Sequence, residues 1–217
     1  MQTIKIKRKK IKNIYLKITP NCEVILTAPY EVKEEFLYKF LEQKRNWIEK
    51  KLEFFSKVEI KKEYVSGESF EYLGRNFILK VVEGKKEALK IDGKFCYLYV
   101  KENSFEEKEK VIKKWYRKEA KKIFVEIVDK FVPIVGREPA KVSVREMKTR
   151  WGSCNYQKGY INLNLELIKK PKECIEYVIF HELSHLIYPN HSKEFYNYLS
   201  IYMPDWKERK EKLNEKK

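Results

Sequence analysis

The stretch His181-Glu182-Leu183-Ser184-His185, with His191 six residues further on, decides how the rest of the chain is read. On a helix, residues four apart lie one above the other, so His181 and His185 aim two imidazoles the same way. That spacing suits two nitrogen ligands of one tetrahedral zinc ion. Glu182 sits beside the first ligand, where it can take a proton from a water that the metal activates. A catalytic zinc needs three protein ligands and an open fourth position. Pro189-Asn190 breaks the helix and lets the chain turn back, which makes His191 the third candidate. Glu194 is the alternative, because carboxylates also complete such sites. The chain has only three histidines, and all fall between 181 and 191. A closed structural zinc site is disfavoured, since no cysteine has a ligand's spacing.

Working outward, the helix that carries the motif is expected over 171–188, opened by Pro171. Ile175, Val178, Ile179, Leu183, Leu186 and Ile187 form its apolar face, and the histidines lie off that stripe. A further helix is expected at 192–202, anchored by Phe195 and Tyr196, and the charged run 205–217 reads as helical. The third-histidine spacing equals that of the metzincin pattern, although Tyr188 stands where that pattern has glycine. Upstream, Val142, Val144 and Met147 suggest one strand and Tyr160–Asn164 another, with Arg150–Asn155 in the connection. A long helix should run from about 104 to 131, capped by Ser104 and ended by Pro133 and Gly136. Residues 66–100 read as strands punctuated by glycines, residues 32–56 as a helix with Phe36, Phe40, Leu41, Trp47, Ile48 and Leu52 on its stripe, and residues 4–28 as two or three short strands around a turn at Pro20-Asn21. The fold class is therefore α+β. The expected division is a β-rich region with one helix over 1–103, followed by a second domain over 104–217.

The chain has 217 residues, of which 43% are hydrophobic and 37% charged, so it can bury a core under a charged surface. The formal net charge is +16, a field that favours polyanions such as nucleic acid or nucleotides, while also fitting a lysine-rich solvated surface. Residues 1–22 carry seven Lys or Arg and no acid. The four cysteines, Cys22, Cys96, Cys154 and Cys174, form no Cys-x-x-Cys pair, which fits reduced thiols. No apolar run approaches the roughly 18 residues of a membrane helix, and no signal segment or lipidation motif appears. A soluble, cytoplasmic protein is expected, with no prediction of its oligomeric state.

The block Lys148-Thr149-Arg150-Trp151-Gly152-Ser153-Cys154, then Ile161–Asn164, Tyr177-Val178, the five-residue histidine motif and Pro189-Asn190-His191-Ser192 resemble the YgjP-like metallopeptidases, a zincin group similar to the SprT-like and WLM proteases. Phe195, Pro204-Asp205-Trp206-Lys207, Leu73-Gly74-Arg75 and Lys44–Ile48 extend the likeness over nearly the whole chain. The resemblance implies one zinc per chain at His181, His185 and His191, with Glu182 catalytic. It also implies a zincin-like second domain made of a small sheet, a backing helix and the histidine-bearing helix. Peptide or protein is the implied substrate. Some members are also described as UTP pyrophosphatases, so a nucleotide pyrophosphohydrolase is the competing activity, although no phosphate-cradling glycine loop is present.

Other residues carry two readings each. Arg150 either contacts substrate, steadying a developing oxyanion, or caps a turn while Trp151 packs in the core. Tyr160, Tyr177, Tyr188 and Tyr196 could each offer a phenol to the site, or simply pack. The strand 160–164 could be an edge that accepts an extended peptide as an added strand. Met203 and Cys174 read as core filler and a packed thiol. A third function class, association with nucleic acid, rests on the basic N-terminal strands. The tail from Lys207 alternates Lys and Arg with Glu and reads as a solvated helix.

Overall fold

The computed structural model describes residues 4–19, 23–58 and 62–215; Cys22 and the turn at Pro20-Asn21 lie outside them. Contacts divide the chain into two compact units, Met1–Lys62 and Glu63–Lys217. The change from strands to helices near 101–105 falls inside the second unit, where the sheet before it and the helix after it share one core.

In the first unit, β1 (Ile4–Arg8), β2 (Tyr15–Ile18) and β3 (Val24–Ala28) form a sheet in the order β1-β3-β2, with β1 and β3 parallel. Helices α1 (Glu34–Gln43) and α2 (Arg45–Val58) follow. Ile18, Val24, Leu26, Ala28, Leu37, Leu41 and Ile48 make their shared core. The expected single helix over 32–56 is thus two, broken at Lys44 (φ −96°, ψ 4°). No Pro or Gly marks the break. The expected stripe is also rotated: Leu37 is buried while Phe36 and Trp47 are exposed. Leu37 and Leu41, four apart, set the face that α1 turns to the sheet.

In the second unit, β4 (Ser69–Tyr72), β5 (Arg75–Glu83), β6 (Ala88–Asp92) and β7 (Phe95–Val100) form a sheet in the order β4-β5-β7-β6, with β5 and β7 parallel. The short edge strand β6, not foreseen, hairpins onto β7 through Gly93. Against this sheet packs α3 (Phe105–Val135), capped by Ser104 Oγ, which accepts from the Glu107 amide, and closed by Gly136 in the left-handed region. The helix runs through Pro133 rather than stopping before it. Pro133 is exposed in the last turn, so the one amide bond it forfeits faces water.

A second sheet contains β8 (Lys141–Arg145), β9 (Gly152–Asn155) and β10 (Tyr160–Asn164), in the order β8-β10-β9. Tyr160–Asn164 is therefore the central strand, not an edge. The edges are β8 and β9, the second of which the sequence reads as a connection. After a 3-10 turn at Leu165–Lys169 come α4 (Lys172–Ser184), α5 (Lys193–Tyr202) and α6 (Trp206–Asn214). Helix α6 is not merely solvated: it buries Trp206 and Leu213, and Arg209 binds the Glu176 carboxylate on α4 at 3.0 Å. Together, the small sheet, α3 behind it and the histidine-bearing α4 supply the three parts expected of the second domain. Among the described residues no helix is long and apolar enough to cross a membrane.

The turn between β4 and β5 braces the start of α4. Leu73 and Gly74 donate their amides to the carbonyls of Ile168 and Lys169, at 3.0 and 2.9 Å. Gly74 has φ +76°, and a Cβ there would lie 2.7 Å from Pro171 Cγ and 2.9 Å from its Cα. Gly74→Ala combines backbone strain with a collision against the helix entrance, and should cost at least about 2 kcal/mol. The melting temperature of the unit should fall by about 4–8 °C by calorimetry. Gly84→Ala, where a Cβ meets nothing within 4 Å, should leave it within about 1 °C.

Candidate metal centre

Helix α4 is a core helix with a polar end. Cys174, Ile175, Tyr177, Val178, Ile179, Phe180, Leu183 and Ser184 are all buried, so it is covered on most sides rather than along one stripe. The helix ends at Ser184, four residues earlier than Pro189 suggests. The chain then tightens, with Ile187 and Tyr188 both bonding back to the Ser184 carbonyl. This tight turn exposes Ile187, expected on the apolar face, and brings the Tyr188 carbonyl round to His185. Ser192 caps α5 by accepting from the Phe195 amide, which fixes the stretch carrying His191.

The three imidazoles meet. Nε2 of His191 lies 3.0 Å from Nε2 of His181 and 3.1 Å from Nε2 of His185. Three nitrogens at Zn–N distances of about 2.0–2.1 Å in a tetrahedral shell would stand about 3.3 Å apart, so the cluster is close to a ligand set already gathered. Nδ1 of His185 lies 3.0 Å from the Tyr188 carbonyl oxygen. A carbonyl only accepts, so Nδ1 carries the proton and Nε2 offers its lone pair to the centre. Phe195 supports all three rings: it stacks on His185 with centroids 4.6 Å apart and meets His181 and His191 edge-on at 5.0 Å. The residues fit a divalent ion by donor type, convergence and tautomer. Glu194 lies outside the cluster, exposed in the first turn of α5, its carboxyl turned to the Ser192 hydroxyl.

Glu182 is 7% exposed and packs against β9. A Cβ on Gly152 would lie 2.6 Å from Glu182 Oε1, so only glycine lets the edge strand come this close. In the metal-free protein, burial pushes the Glu182 carboxyl up to about 8, opposed by the charge of Arg150. Burial likewise pushes His181 down to about 3, helped by the positive charges of His185, His191 and Lys210. His181 Nδ1 is buried without a hydrogen-bond partner.

Arg150 belongs to a segment clamped from below by Asn164, itself 5% exposed. Asn164 Nδ2 donates to the carbonyls of Met147 and Arg150, both at 2.8 Å, and its backbone amide donates to the Trp151 carbonyl at 2.9 Å. That clamp delivers the chain into β9 and so sets Gly152 against Glu182. Trp151 packs at the border of the core. Tyr160 is placed apart from the histidines. The register pairs Leu163 with Gly152 and Ile161 with Cys154, so these share the face that meets Glu182, while Tyr160 lies on the other face opposite Asn155. Tyr177 and Tyr196 stand nearer, in ring contact with His181 and His191 respectively. Tyr188 contributes its carbonyl. Cys174 is a buried thiol bonded to the Arg209 carbonyl, and Met203 is core. The roles of Gly152, Asn164, Phe195 and the Tyr188 carbonyl carry no mark in the sequence beyond the presence of Gly152, Asn164 and Phe195 in the blocks quoted above.

These environments give the metal-free protein a defined pH response. Glu182 is raised from 4.5, so the folded state holds a proton that the unfolded chain releases, and stability falls as pH rises from about 4.5 through about 8. His181 works from the other side: lowered from 6.5, it withdraws stability as pH falls from 6.5 towards 3. Glu182→Gln keeps the shape and removes the first effect alone. With chelator present, the variant should exceed the parent protein by a few kcal/mol at pH 9 and match it at pH 4.5 in urea unfolding. Equal curves at both pH values would show that Glu182 is not held in a desolvated site.

No curated protein matches the chain. The metallopeptidase zymogen of Pyrococcus abyssi abylysin shares 24% identity over 42% of this chain and 90% of its own, with a TM-score of 0.39. That of Methanocaldococcus jannaschii jannalysin shares 24% over 42% of this chain and 86% of its own, with a TM-score of 0.38. The metallopeptidase-domain family described as YgjP-like matches residues 12–216, nearly the whole sequence. The chain is a member of the YgjP-like metallopeptidase-domain family.

Proposed function

We propose that the protein is a zinc-dependent peptidase in which His181, His185 and His191 hold one zinc ion and Glu182 is the general base. The convergence of the three Nε2 atoms beside a buried carboxylate carries this reading. A zinc ion held by these three histidines would supply Lewis acidity towards a carbonyl oxygen and acidify a water beside Glu182.

The chain's own groups do the rest. Glu182 takes the proton of the attacking water and returns it to the leaving amine. Its carboxyl is kept in place by the close approach of Gly152, which leaves little room for another position. Among the described residues β9 pairs only with β10, which leaves its outer edge without a strand partner. An extended peptide can add there as a further strand, which would run its backbone past Glu182. The edge role expected for Tyr160–Asn164 thus passes to Gly152–Asn155. Arg150, exposed at the entrance to β9 and within electrostatic reach of Glu182, is suited to steady the oxyanion that forms as the peptide carbonyl is attacked. Tyr177, held protonated by burial and in ring contact with His181, is a neutral phenol at the floor of the site.

Zinc-loaded protein should cleave an unfolded polypeptide. Glu182→Gln should lose about 10²–10⁴-fold in kcat with one zinc per chain retained. His191→Ala should lose the zinc itself on a metal-content assay. Gly152→Ala, which displaces the carboxylate without touching a ligand, should keep the zinc and lose activity. UTP measured in parallel separates the competing activity: UTP turnover abolished in Glu182→Gln, with polypeptide left intact by the parent protein, would replace the peptidase with a pyrophosphohydrolase.

A further inference from the structure

The first unit carries a surface that the metal centre does not use. Its sheet has one face packed on α1 and α2 and one face open. The register decides which residues share the open face. Lys5 lies opposite Ile25, and Ile25 opposite Lys17; two residues along, Lys7 lies opposite Thr27, and Thr27 opposite Tyr15. Each row alternates with the buried residues Val24, Leu26 and Ala28, so all six point away from the core. Lys5, Lys7 and Lys17 are exposed, and Tyr15 is 57% exposed.

The rows are about 7 Å apart along the strands, and their outer members about 10 Å apart across them. Where β1 ends and β2 begins, beside the Lys7–Tyr15 row, the connecting segment adds Lys9, Lys10 and Lys12, all exposed. Arg8 is not part of this surface, because its guanidinium is spent on the carbonyls of Pro29 and Val32 at 2.9 and 2.6 Å. Lys5 pairs with Glu23 at the far end. Among the described residues, Lys7, Lys9, Lys10, Lys12 and Lys17 make no ion pair. Every other described carboxylate of this unit follows Tyr30, in or just before the two helices, where Arg45 bridges Glu42 and Glu49. The helices thus carry both signs, whereas the open sheet and its connecting segment carry lysines with Glu23 as the one described acid beside them.

We infer that this open sheet face binds single-stranded nucleic acid, with backbone phosphates on the Lys7, Lys17 and Lys9–Lys12 ammonium groups and a base stacked on Tyr15. Lysines offer phosphates a point charge without base readout, so the binding is independent of sequence. An exposed aromatic ring on a sheet amid cations is the arrangement that accepts an unpaired base, because every base has a face to stack. A duplex hides its bases and gains nothing from Tyr15.

The test uses the full chain and a fluorescein-labelled oligothymidylate of about 20 nucleotides, followed by anisotropy between 50 and 300 mM salt. Binding should weaken with salt at a log–log slope of about −2 to −3.5, from three to five phosphate contacts. The paired charge reversals Lys7→Glu and Lys17→Glu should weaken it more than 10-fold. Tyr15→Ala should weaken it about 5- to 100-fold for the single strand and leave duplex binding unchanged. Lys39→Glu with Lys50→Glu alters net charge equally on the helices, and should change affinity less than twofold. Circular dichroism confirms that each variant is folded. Three results would overturn the inference: no binding at 50 mM salt with 10 µM protein; equal losses from the sheet and helix charge reversals, which would make the effect one of net charge; or retention on phosphatidylserine vesicles without retention of the oligonucleotide, which would make the face a membrane contact.

Discussion

A carboxylate beside three imidazoles is costly to bury, and the second unit is arranged around that cost. Glu182 sits in a helix whose other residues are mainly core, with no room between it and the edge strand. Burial favours its neutral form and the neutral forms of His181 and His185. A divalent cation reverses that balance, since the lone pairs and the carboxylate then face opposite charge. The apex of α4 is thus poorly solvated. The packing that holds it rigid, Phe195 beneath the rings and the Tyr188 carbonyl behind His185, keeps the lone pairs convergent.

Rigid placement of the apex depends on parts remote in sequence. The turn at Leu73-Gly74 bonds to the residues just before α4 and presses on Pro171. Asn164 ties down the segment from Met147 to Trp151 through side-chain and backbone bonds. From the other side, α6 docks on α4 through Arg209, whose guanidinium also reaches Asp205 at 2.9 Å. Each of these contacts is made by a group that would be left unsatisfied if its partner moved, so the surround resists displacement. A site that must hold a proton acceptor within hydrogen-bond reach of its target needs this kind of support.

The positive charge is distributed in the same purposeful sense. A net charge of +16 could have been spread evenly. In the second unit many lysines are engaged: Lys130 and Arg209 hold Glu176, and Lys212 holds Glu173. In the first unit the open sheet collects lysines without such partners among the described residues. Composition gives the sum of these charges, and only register and pairing separate the cations that stitch helices together from those that face outward.

The spacing of three histidines and one glutamate marked the candidate centre, because helical periodicity is a local property and His-Glu-x-x-His needs nothing beyond one helix to align two imidazoles. The strand and helix character of most segments, the Ser104 cap and the α+β class were legible for the same reason. Properties that depend on what lies opposite were not. Whether Tyr160–Asn164 is central or an edge depends on β9, a four-residue strand with Gly, Ser, Cys and Asn and no alternating pattern to announce it. The break at Lys44 has no Gly or Pro; both helix halves must reach one sheet. The early end of α4, the passage of α3 through Pro133 and the docking of α6 follow from packing, which overrides local preference. Sequence marked His181, His185, His191 and Glu182 as the candidates; the tertiary structure alone decided which strand lies against them, because that contact joins residues thirty apart through a glycine whose only local signal is a missing side chain.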